Sequence, residues 1–479
     1  MKTNGKSPRK IIPIISAEPE TSYTSLYASQ NKIYPRSTVG YFKNWRWAMI
    51  WLTQIVFYMT PWMQWGDRQS VLFDISAHKF YIFGLVIFPQ DLIYLALILI
   101  ISALALFLFT AVAGRVWCGF SCPQSVYTEI FLWIERKVEG DRVARIKLDG
   151  SPLNKNKLFK KGLKHALWIS FAMWTGFTFL GYFSPIRELM QHVSAHSLSP
   201  WESFWICFYG FATYGNAGFL REQVCKHMCP YARFQSAMFD DNTLIVTYDA
   251  ERGEPRSGRS RKIESKKEGL GDCIDCTLCV QVCPVGIDIR NGLQYECISC
   301  GLCVDACNNV MDTMQYPRGL IRFSTQNGVN KHWTQSQIIK NIFRPRVLIY
   351  SCLLVIVSIT LIASIKLRDP FKVDVIRDRG VMARIDDSDE LENVYQLLIT
   401  NVTEKDDAYQ VNIAGLNGAS VTSNNIFKVK AANESRIALS IHLPVGTVTA
   451  GMHPIQLEVE SLNTKKRVLE KTIFYVPNS

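Results

Sequence analysis

Eight of the fourteen cysteines lie in one short segment, Cys273, Cys276, Cys279 and Cys283 followed by Cys297, Cys300, Cys303 and Cys307. Each half reads Cys-x-x-Cys-x-x-Cys-x-x-x-Cys. With this spacing three thiolates on one tight loop bind three irons of a cubane, and the fourth cysteine ligates the neighbouring cluster. The segment is therefore constrained to loops wrapped around two clusters. Cys273, Cys276, Cys279 and Cys307 are assigned to the first [4Fe-4S] cluster, and Cys283, Cys297, Cys300 and Cys303 to the second. Pro284 follows Cys283 as the bacterial two-cluster pattern expects, whereas Asn308 follows Cys307, a departure that touches a turn and no ligand. A zinc ribbon or a disulfide framework also uses Cys-x-x-Cys pairs, but neither needs tandem triplets. A chain built this way carries electrons one at a time.

Elsewhere apolar stretches alternate with charged ones. Five are long enough to cross a bilayer: Trp47 to Trp65, Leu92 to Gly114, Leu163 to Phe183, Trp201 to Leu220 and Val347 to Ile365. The third and fourth are rich in Trp, Phe, Gly and Ser and also fit buried core helices. Lys2, Lys6, Arg9, Lys10, Lys32, Arg36, Lys43 and Arg46 crowd the N-terminal arm. Arg136, Lys137, Arg142, Arg145, Lys147, Lys155, Lys157, Lys160, Lys161 and Lys164 crowd the connector after the second span. Both are cytoplasmic by the positive-inside rule, whereas Ser184 to Pro200 holds only Arg187 and suits the opposite face. With five spans the cysteine-rich segment is then cytoplasmic and the tail external. A reducing compartment also suits free thiols and labile clusters. The net charge of +12 is thus a topology signal, and nucleic-acid binding is not expected.

The first forty residues are polar and lack the apolar core of a cleavable signal, so the first span is expected to act as the targeting signal. Alternation at Val71, Phe73 and Ile75, then at Phe80, Ile82 and Val86, predicts a small external hairpin on the membrane surface. Residues 249 to 271, with Arg252, Arg256, Arg259, Arg261 and Lys262 among Gly, Ser and Pro, read as a flexible solvated linker. After Lys366 apolar residues recur at period two: Tyr395, Leu397, Ile399; Tyr409, Val411, Ile413; Ile437, Leu439, Ile441, Leu443; and Ile455, Leu457, Val459. Turns at Gly415 to Gly418 and Pro444 to Gly446 separate them, which predicts a β-sandwich of about seven strands without an inter-sheet disulfide. The expected fold class is a multi-domain membrane protein: an α-helical transmembrane bundle of about five helices, a cytoplasmic two-cluster ferredoxin-like domain and a C-terminal all-β immunoglobulin-like sandwich. The boundaries expected are a cytoplasmic arm at 1–46, a four-helix membrane region at 47–224 and a cytoplasmic region at 225–345 with its ferredoxin at about 265–315. A fifth helix at 346–366 and the external sandwich at 367–479 complete the chain.

Four more cysteines repeat a second motif, Cys118-Gly-Phe-Ser-Cys122-Pro123 and Cys225-Lys-His-Met-Cys229-Pro230, each directly after an even-numbered span. Thiols four apart share a face if the turn is helical, and the proline can stop the helix or redirect the chain. Such a pair can bind a soft ion such as Cu(I), cycle between dithiol and disulfide, or pack as small apolar groups. Two copies at equal depth beside an electron supply favour the chemical roles. His227 and Met228 offer further copper ligands, although a lone His at a membrane surface is more often simply solvated. Cys207 and Cys352, inside apolar spans, read as buried structural cysteines.

Lys32-Ile-Tyr-Pro-Arg36, Pro61-Trp62, Arg68-Gln-Ser-Val-Leu-Phe-Asp74, Gly114-Arg-Val-Trp-Cys118, Trp133-Ile-Glu-Arg136 and Gly181-Tyr-Phe-Ser-Pro-Ile-Arg-Glu188 make the chain resemble the cytochrome c oxidase accessory family CcoG, also called FixG or RdxA. The order of spans, ferredoxin and sandwich is similar too, and the resemblance runs from Lys32 to the end. It implies a bacterial inner-membrane protein that assists assembly of cbb-type cytochrome c oxidase, acting as a cupric reductase that supplies Cu(I). By the same resemblance the family's cluster cysteines map onto Cys273 to Cys307, and its paired motifs onto Cys118, Cys122, Cys225 and Cys229. Copper chemistry itself asks for a one-electron donor beside a soft site that releases its product, and both parts lie on one expected face. The expected partners are membrane lipid, a copper chaperone or oxidase assembly factors and a cytoplasmic electron donor, with a homo-oligomer left open. Two alternatives stand beside this reading. One is a quinol-linked electron-transfer subunit without copper chemistry, as in the related ferredoxin proteins of nitrate and nitrous oxide respiration; the other is a redox-sensing assembly scaffold.

Overall fold

The computed structural model describes residues 32–261, 269–377, 383–385, 390–421 and 425–477. Lys2, Lys6, Arg9 and Lys10 of the basic arm and Lys262 of the linker lie outside the described residues. The helices that build the frame are α1 (Tyr41–Met59), α2 (Leu92–Ala113), α3 (Val116–Phe120), α4 (Pro123–Glu139), α5 (Lys155–Leu180), α6 (Pro200–Gly215), α7 (Leu302–Met314) and α8 (Pro345–Lys366). Among the described residues, α2 with its leading turn and α8 are long and apolar enough to cross a membrane. Leu92, Ile93, Leu99, Ile349, Ile356 and Ile362 stand exposed on them, a continuous apolar surface that water does not favour. The other three stretches expected to span are also helical, but they are less apolar and their bounds shift.

The first of them begins at Tyr41 rather than Trp47 because another domain caps it. The Asp305 carboxylate on α7 accepts the Phe42 and Lys43 amides at 3.2 and 2.8 Å, filling the role of an N-cap from outside the helix. Gly40 leaves room for it, since a Cβ there would meet Asp305 Cγ at 2.3 Å. Pro61, in the turn Thr60–Trp62, ends this segment short of Trp65. Asp305→Ala is expected to cost about 1–2 kcal/mol, as a lost cap does, and to loosen α1 from α7; thermal unfolding and amide exchange at Phe42 and Lys43 check both. The third stretch starts early, at Lys155, where Asn154 accepts the Lys157 amide at 2.7 Å. The fourth is α-helical only to Gly215 and continues as a π-helical turn, Asn216–Leu220.

The basic connector does more than flank a membrane. Three acidic side chains of α4 are buried, and the connector's cations fold back onto them. Glu135 meets Arg145 at 3.4 Å and Arg221 at 2.9 Å, Glu139 meets Lys161 and Lys164 at 2.9 and 3.1 Å, and Glu129 meets Arg136 and Arg46 at 2.7 and 3.2 Å. A buried carboxylate needs such partners to stay charged.

Antiparallel pairing of Ile245–Tyr248 with Ile321–Ser324 closes the ferredoxin-like domain, which is therefore larger than the expected 265–315. The described part of the expected linker is pinned rather than free. Ala250–Gly253 forms a helical turn, Arg252 binds Asp272 at 2.6 Å, and Arg259 lies over the Tyr316 ring at 5.5 Å. Its arginines find acceptors on the domain, which composition alone does not reveal.

The sandwich has nine described strands instead of about seven. One sheet runs Ser420–Val421, Glu434–Pro444, Glu390–Asn401, Phe371–Arg377, with Arg384–Ile385 pairing the third; the other runs Ile426–Val429, Asp407–Ala414, Gly451–Ser461, Arg467–Val476. Tyr395, Leu397, Ile399, Tyr409, Val411 and Leu457 are fully buried between them, as the alternation requires. The segment 71–87 is a three-stranded meander, not a two-stranded hairpin, and it is clasped between protein parts. Phe73 N bonds Tyr182 O at 2.7 Å, and Lys79 reaches Asn433 of the sandwich at 3.3 Å. Arg368 pairs with Asp91 nearby. The sandwich thus meets the start of α2 and the end of α8, while the ferredoxin meets the start of α1 and, through Asp240 and Arg344 at 2.8 Å, the start of α8. The ferredoxin-like domain and the sandwich thus lie at opposite ends of α8.

Candidate redox centre

The two cysteine loops of the ferredoxin-like domain repeat each other in backbone conformation. Asp275 and Thr277 in the first, and Ser299 and Gly301 in the second, take left-handed φ at the second and fourth positions after the leading cysteine. Each loop therefore curls its amides and thiols inward, and Ser299 N lies 3.5 Å from Cys297 Sγ. Two small cavities result. Cys273, Cys276, Cys279 and Cys307 line one, with Tyr248 and Leu320. Cys283, Cys297, Cys300 and Cys303 line the other, with Val246, Ile289 and Cys279 at its edge. All fourteen cysteines are free thiols. Burial pushes the thiols of Cys279 and Cys283 up to about 11 and those of Cys297 and Cys307 up to about 12. Thiols so disfavoured as anions need a bound cationic centre to become thiolates. Among the described residues no three His, Cys, Asp or Glu side chains converge as on a single ion; the quartets surround space instead. This donor set fits two cubanes, which Cys273, Cys276, Cys279 and Cys307, and Cys283, Cys297, Cys300 and Cys303, would hold.

The two Cys-x-x-x-Cys-Pro motifs also come together. Cys118 interacts electrostatically with Cys122, Cys225 and Cys229, and Cys225 with Cys122 and Cys229. Their prolines do not end helices; they open them. Cys122 and Cys229 are the extended N-cap residues of α4 and of Pro230–Ala237, with Pro123 and Pro230 in the first helical position, where a missing N–H costs nothing. Burial raises Cys118 to about 12 and Cys225 to about 11, and Cys118 Sγ lies 3.3 Å from Gln235 Oε1. His227 and Met228 are exposed and add nothing to this quartet. Cys207 and Cys352 are exposed on their helices rather than buried, which corrects the expectation that they are core cysteines.

Three connections between these parts carry no sequence motif. Helix α3 lies directly on the second cluster loop: a Cβ on Gly119 would meet Ile298 O at 2.6 Å and Cys300 Cα at 2.9 Å. Gly119→Val should accordingly force α3 off the loop at a cost of about 1–3 kcal/mol, read as a lower unfolding temperature. Arg115 is buried, donates to Tyr295 O and Ala232 O, and acts on Cys118, Cys225 and Cys297 alike, so one guanidinium faces both thiol groups. Arg46 and Glu129 both act on Cys300. The signal in sequence is weak; Arg115 and Gly119 merely neighbour Cys118.

Comparison with known proteins agrees. Residues 220–326 match a family model described as a 4Fe-4S dicluster domain, residues 95–139 one described as a 4Fe-4S binding domain, and residues 361–477 one described as the IG-like fold at the C-terminus of FixG. Nitrogen fixation protein FixG of Rhizobium meliloti (strain 1021) is 36% identical over 428 residues, 83% of this chain and 82% of the relative. Protein RdxB of Cereibacter sphaeroides is 35% identical over 476 residues, 95% and 98% of the two chains. The chain belongs to the FixG family. A crystal structure of a FixG-related protein from Vibrio parahaemolyticus aligns with 22% of this chain and 97% of its own, at 22% identity and a TM-score of 0.21. In this FixG-family chain the dicluster match covers every cysteine of both cavities, which makes it an iron–sulfur electron-transfer oxidoreductase.

Proposed function

We propose that this protein reduces Cu(II) to Cu(I) at the quartet Cys118, Cys122, Cys225 and Cys229 and supplies the product for assembly of cbb-type cytochrome c oxidase. The observation that carries this reading is the contact of α3 with the second cluster loop, which sets the soft thiol quartet beside an electron store. When bound, the clusters supply electrons singly, as Cu(II) reduction requires. The quartet's residues do the rest. Half-buried thiols release protons as a soft ion binds, Arg115 favours the resulting thiolates, and the flanking helices Pro123–Glu139 and Pro230–Ala237 fix Cys122 and Cys229 at their N-termini.

In this reading α1, α5 and α6 join α2 and α8 as spans of a bacterial inner membrane. The ferredoxin end, flanked by Lys32, Arg36, Lys137 and Lys147, is cytoplasmic, and the sandwich is periplasmic, where it would meet a copper chaperone or oxidase assembly factors. The separation of the two domains to opposite helix ends supports this orientation. The test is to reduce the purified protein with dithionite, remove the excess, add Cu(II), and follow Cu(I) with a chromogenic chelator. Cu(I) appearing in step with loss of reduced-cluster signal is expected; oxidation of the clusters without Cu(I) defeats the proposal. A second reading gives the quartet a third cluster, because residues 95–139 match a 4Fe-4S binding domain. Iron analysis separates them: about eight irons per chain for copper at the quartet, about twelve for a third cluster.

A further inference from the structure

One sizeable cavity belongs to neither thiol group. It is a groove of about 820 Å³ between α1, α4 and α5, within the size range of small-molecule sites. Lys43, Trp47, Ile50, Gln54 and Tyr58 line it at three- and four-residue spacing, so it follows one face of α1. Its walls are flat and aromatic: Trp47 and Trp133 lie 6.3 Å apart at 67°, and Tyr58 and Trp174 stack at 6.5 Å. Gln54 Oε1 is buried there without a hydrogen-bond partner. One end is polar and adjoins the second cluster site. Glu129, 6% exposed, lines this end between Arg46 and Arg136, and Leu302, between Cys300 and Cys303, forms part of the wall. Arg36 and Ser37 at the mouth are exposed.

We propose that this groove binds a membrane quinol and that the second cluster is the acceptor of its electrons. The inference rests on the electron-transfer reading above and names the donor for it. A quinol is a planar ring with two hydroxyls and an apolar tail. The aromatic walls suit the ring and tail, the Glu129 carboxylate suits a hydroxyl donor at the cluster end, and the unsatisfied Gln54 oxygen suits a second polar contact along the groove. A phospholipid would fit the basic mouth, but its phosphate would meet Glu129, and nothing about it calls for a neighbouring redox centre. Oxidation of one quinol to quinone releases two electrons and two protons. The electrons match two clusters taking one each, and the protons go to water at the mouth beside Arg36 and Ser37. The positive charge of Arg115 beside Cys297 favours arrival of an electron, while at Cys300 the charge of Arg46 is opposed in part by its partner Glu129.

The test uses the full-length protein, purified anaerobically with its clusters and placed in phosphatidylcholine nanodiscs. Oxidised decylubiquinone should quench the groove tryptophans saturably, and decylubiquinol should bleach the iron–sulfur absorbance. Ile130→Trp, which fills the groove, and Gln54→Leu, which removes only the amide, should each weaken quenching by about tenfold, the factor carried by about 1.4 kcal/mol. Iron content and reduction by dithionite should stay unchanged in both. Wild-type protein that shows no saturable quenching, that binds quinone but is not reduced by quinol, or that retains a phospholipid which quinone cannot displace would overturn the proposal. So would variants as responsive as wild type. Dithionite-driven Cu(II) reduction is measured in parallel, so failure of the copper reading registers separately from failure of the quinol site.

Discussion

Serine at Cys118, Cys122, Cys225 and Cys229 together is expected to abolish Cu(II) reduction by pre-reduced protein while leaving about eight irons per chain in place. None of the four lines either cluster cavity, so assembly and reduction of the clusters should proceed as before. What disappears is the soft acceptor site. A serine hydroxyl is a hard, neutral oxygen at neutral pH and holds Cu(I) poorly beside a thiolate. Losing a group that merely hydrogen-bonds and orients a metal ligand costs about 10–100-fold in metal affinity, so losing the ligands themselves should exceed that and drive the rate to the level of free buffer. The pairs should also fail singly, because Cys118 feels all three of the other thiols and each motif supplies only half the set. In cells the defect should be relieved by added copper, whereas a lost scaffold would not respond. Undiminished Cu(I) formation with iron intact would move the chemistry to the clusters and leave these thiols a structural role.

Covalent and periodic signals were legible in the sequence; encounters between distant segments were not. The crossed quartets follow from spacing alone, and the cavities place Cys283 with the downstream triplet and Cys307 with the upstream one, Cys279 lining both. The sandwich was readable because residues two apart must face one way, and Tyr395, Leu397 and Ile399 do. By contrast, α1 starts at Tyr41 because Asp305, 264 positions later, caps it, and no local pattern encodes that. The same holds for the cations of the connector, which read as a flank from composition, although Arg136, Arg145 and the Lys161–Lys164 pair turn inward onto Glu129, Glu135 and Glu139 respectively. Cysteine motifs announce chemistry but not conformation: a proline after a cysteine pair can stop a helix or redirect the chain, and here Pro123 and Pro230 do the latter, each opening a new helix in its first turn. The groove beside α1 was invisible for the same reason, since its walls come from three helices and a cluster loop.

Cys283→Ser is expected to remove the second cluster, not the one built on its own triplet, and to lower the iron content by about half. Cys283 lines the cavity of Cys297, Cys300 and Cys303, whereas the cavity of Cys273 and Cys276 is completed by Cys307. The loss should reach beyond stoichiometry. The loop carrying Cys297 and Cys300 is the part that touches α3 and shares Arg115 with Cys118, so the quartet should be cut off from electrons and Cu(II) reduction should collapse although all four of its thiols remain. Cys276→Ser supplies the contrast: its side chain is exposed, it belongs to the far cavity, and it should remove the other half of the iron while leaving the second site and its contact with α3 whole. Iron analysis with low-temperature EPR of the two reduced variants distinguishes these outcomes, because each should retain the spectrum the other lacks. A Cys283→Ser protein that keeps the second signal and loses the first would mean that the fourth ligands do not cross, and the path from cluster to thiol quartet would have to be redrawn from the Cys273 loop.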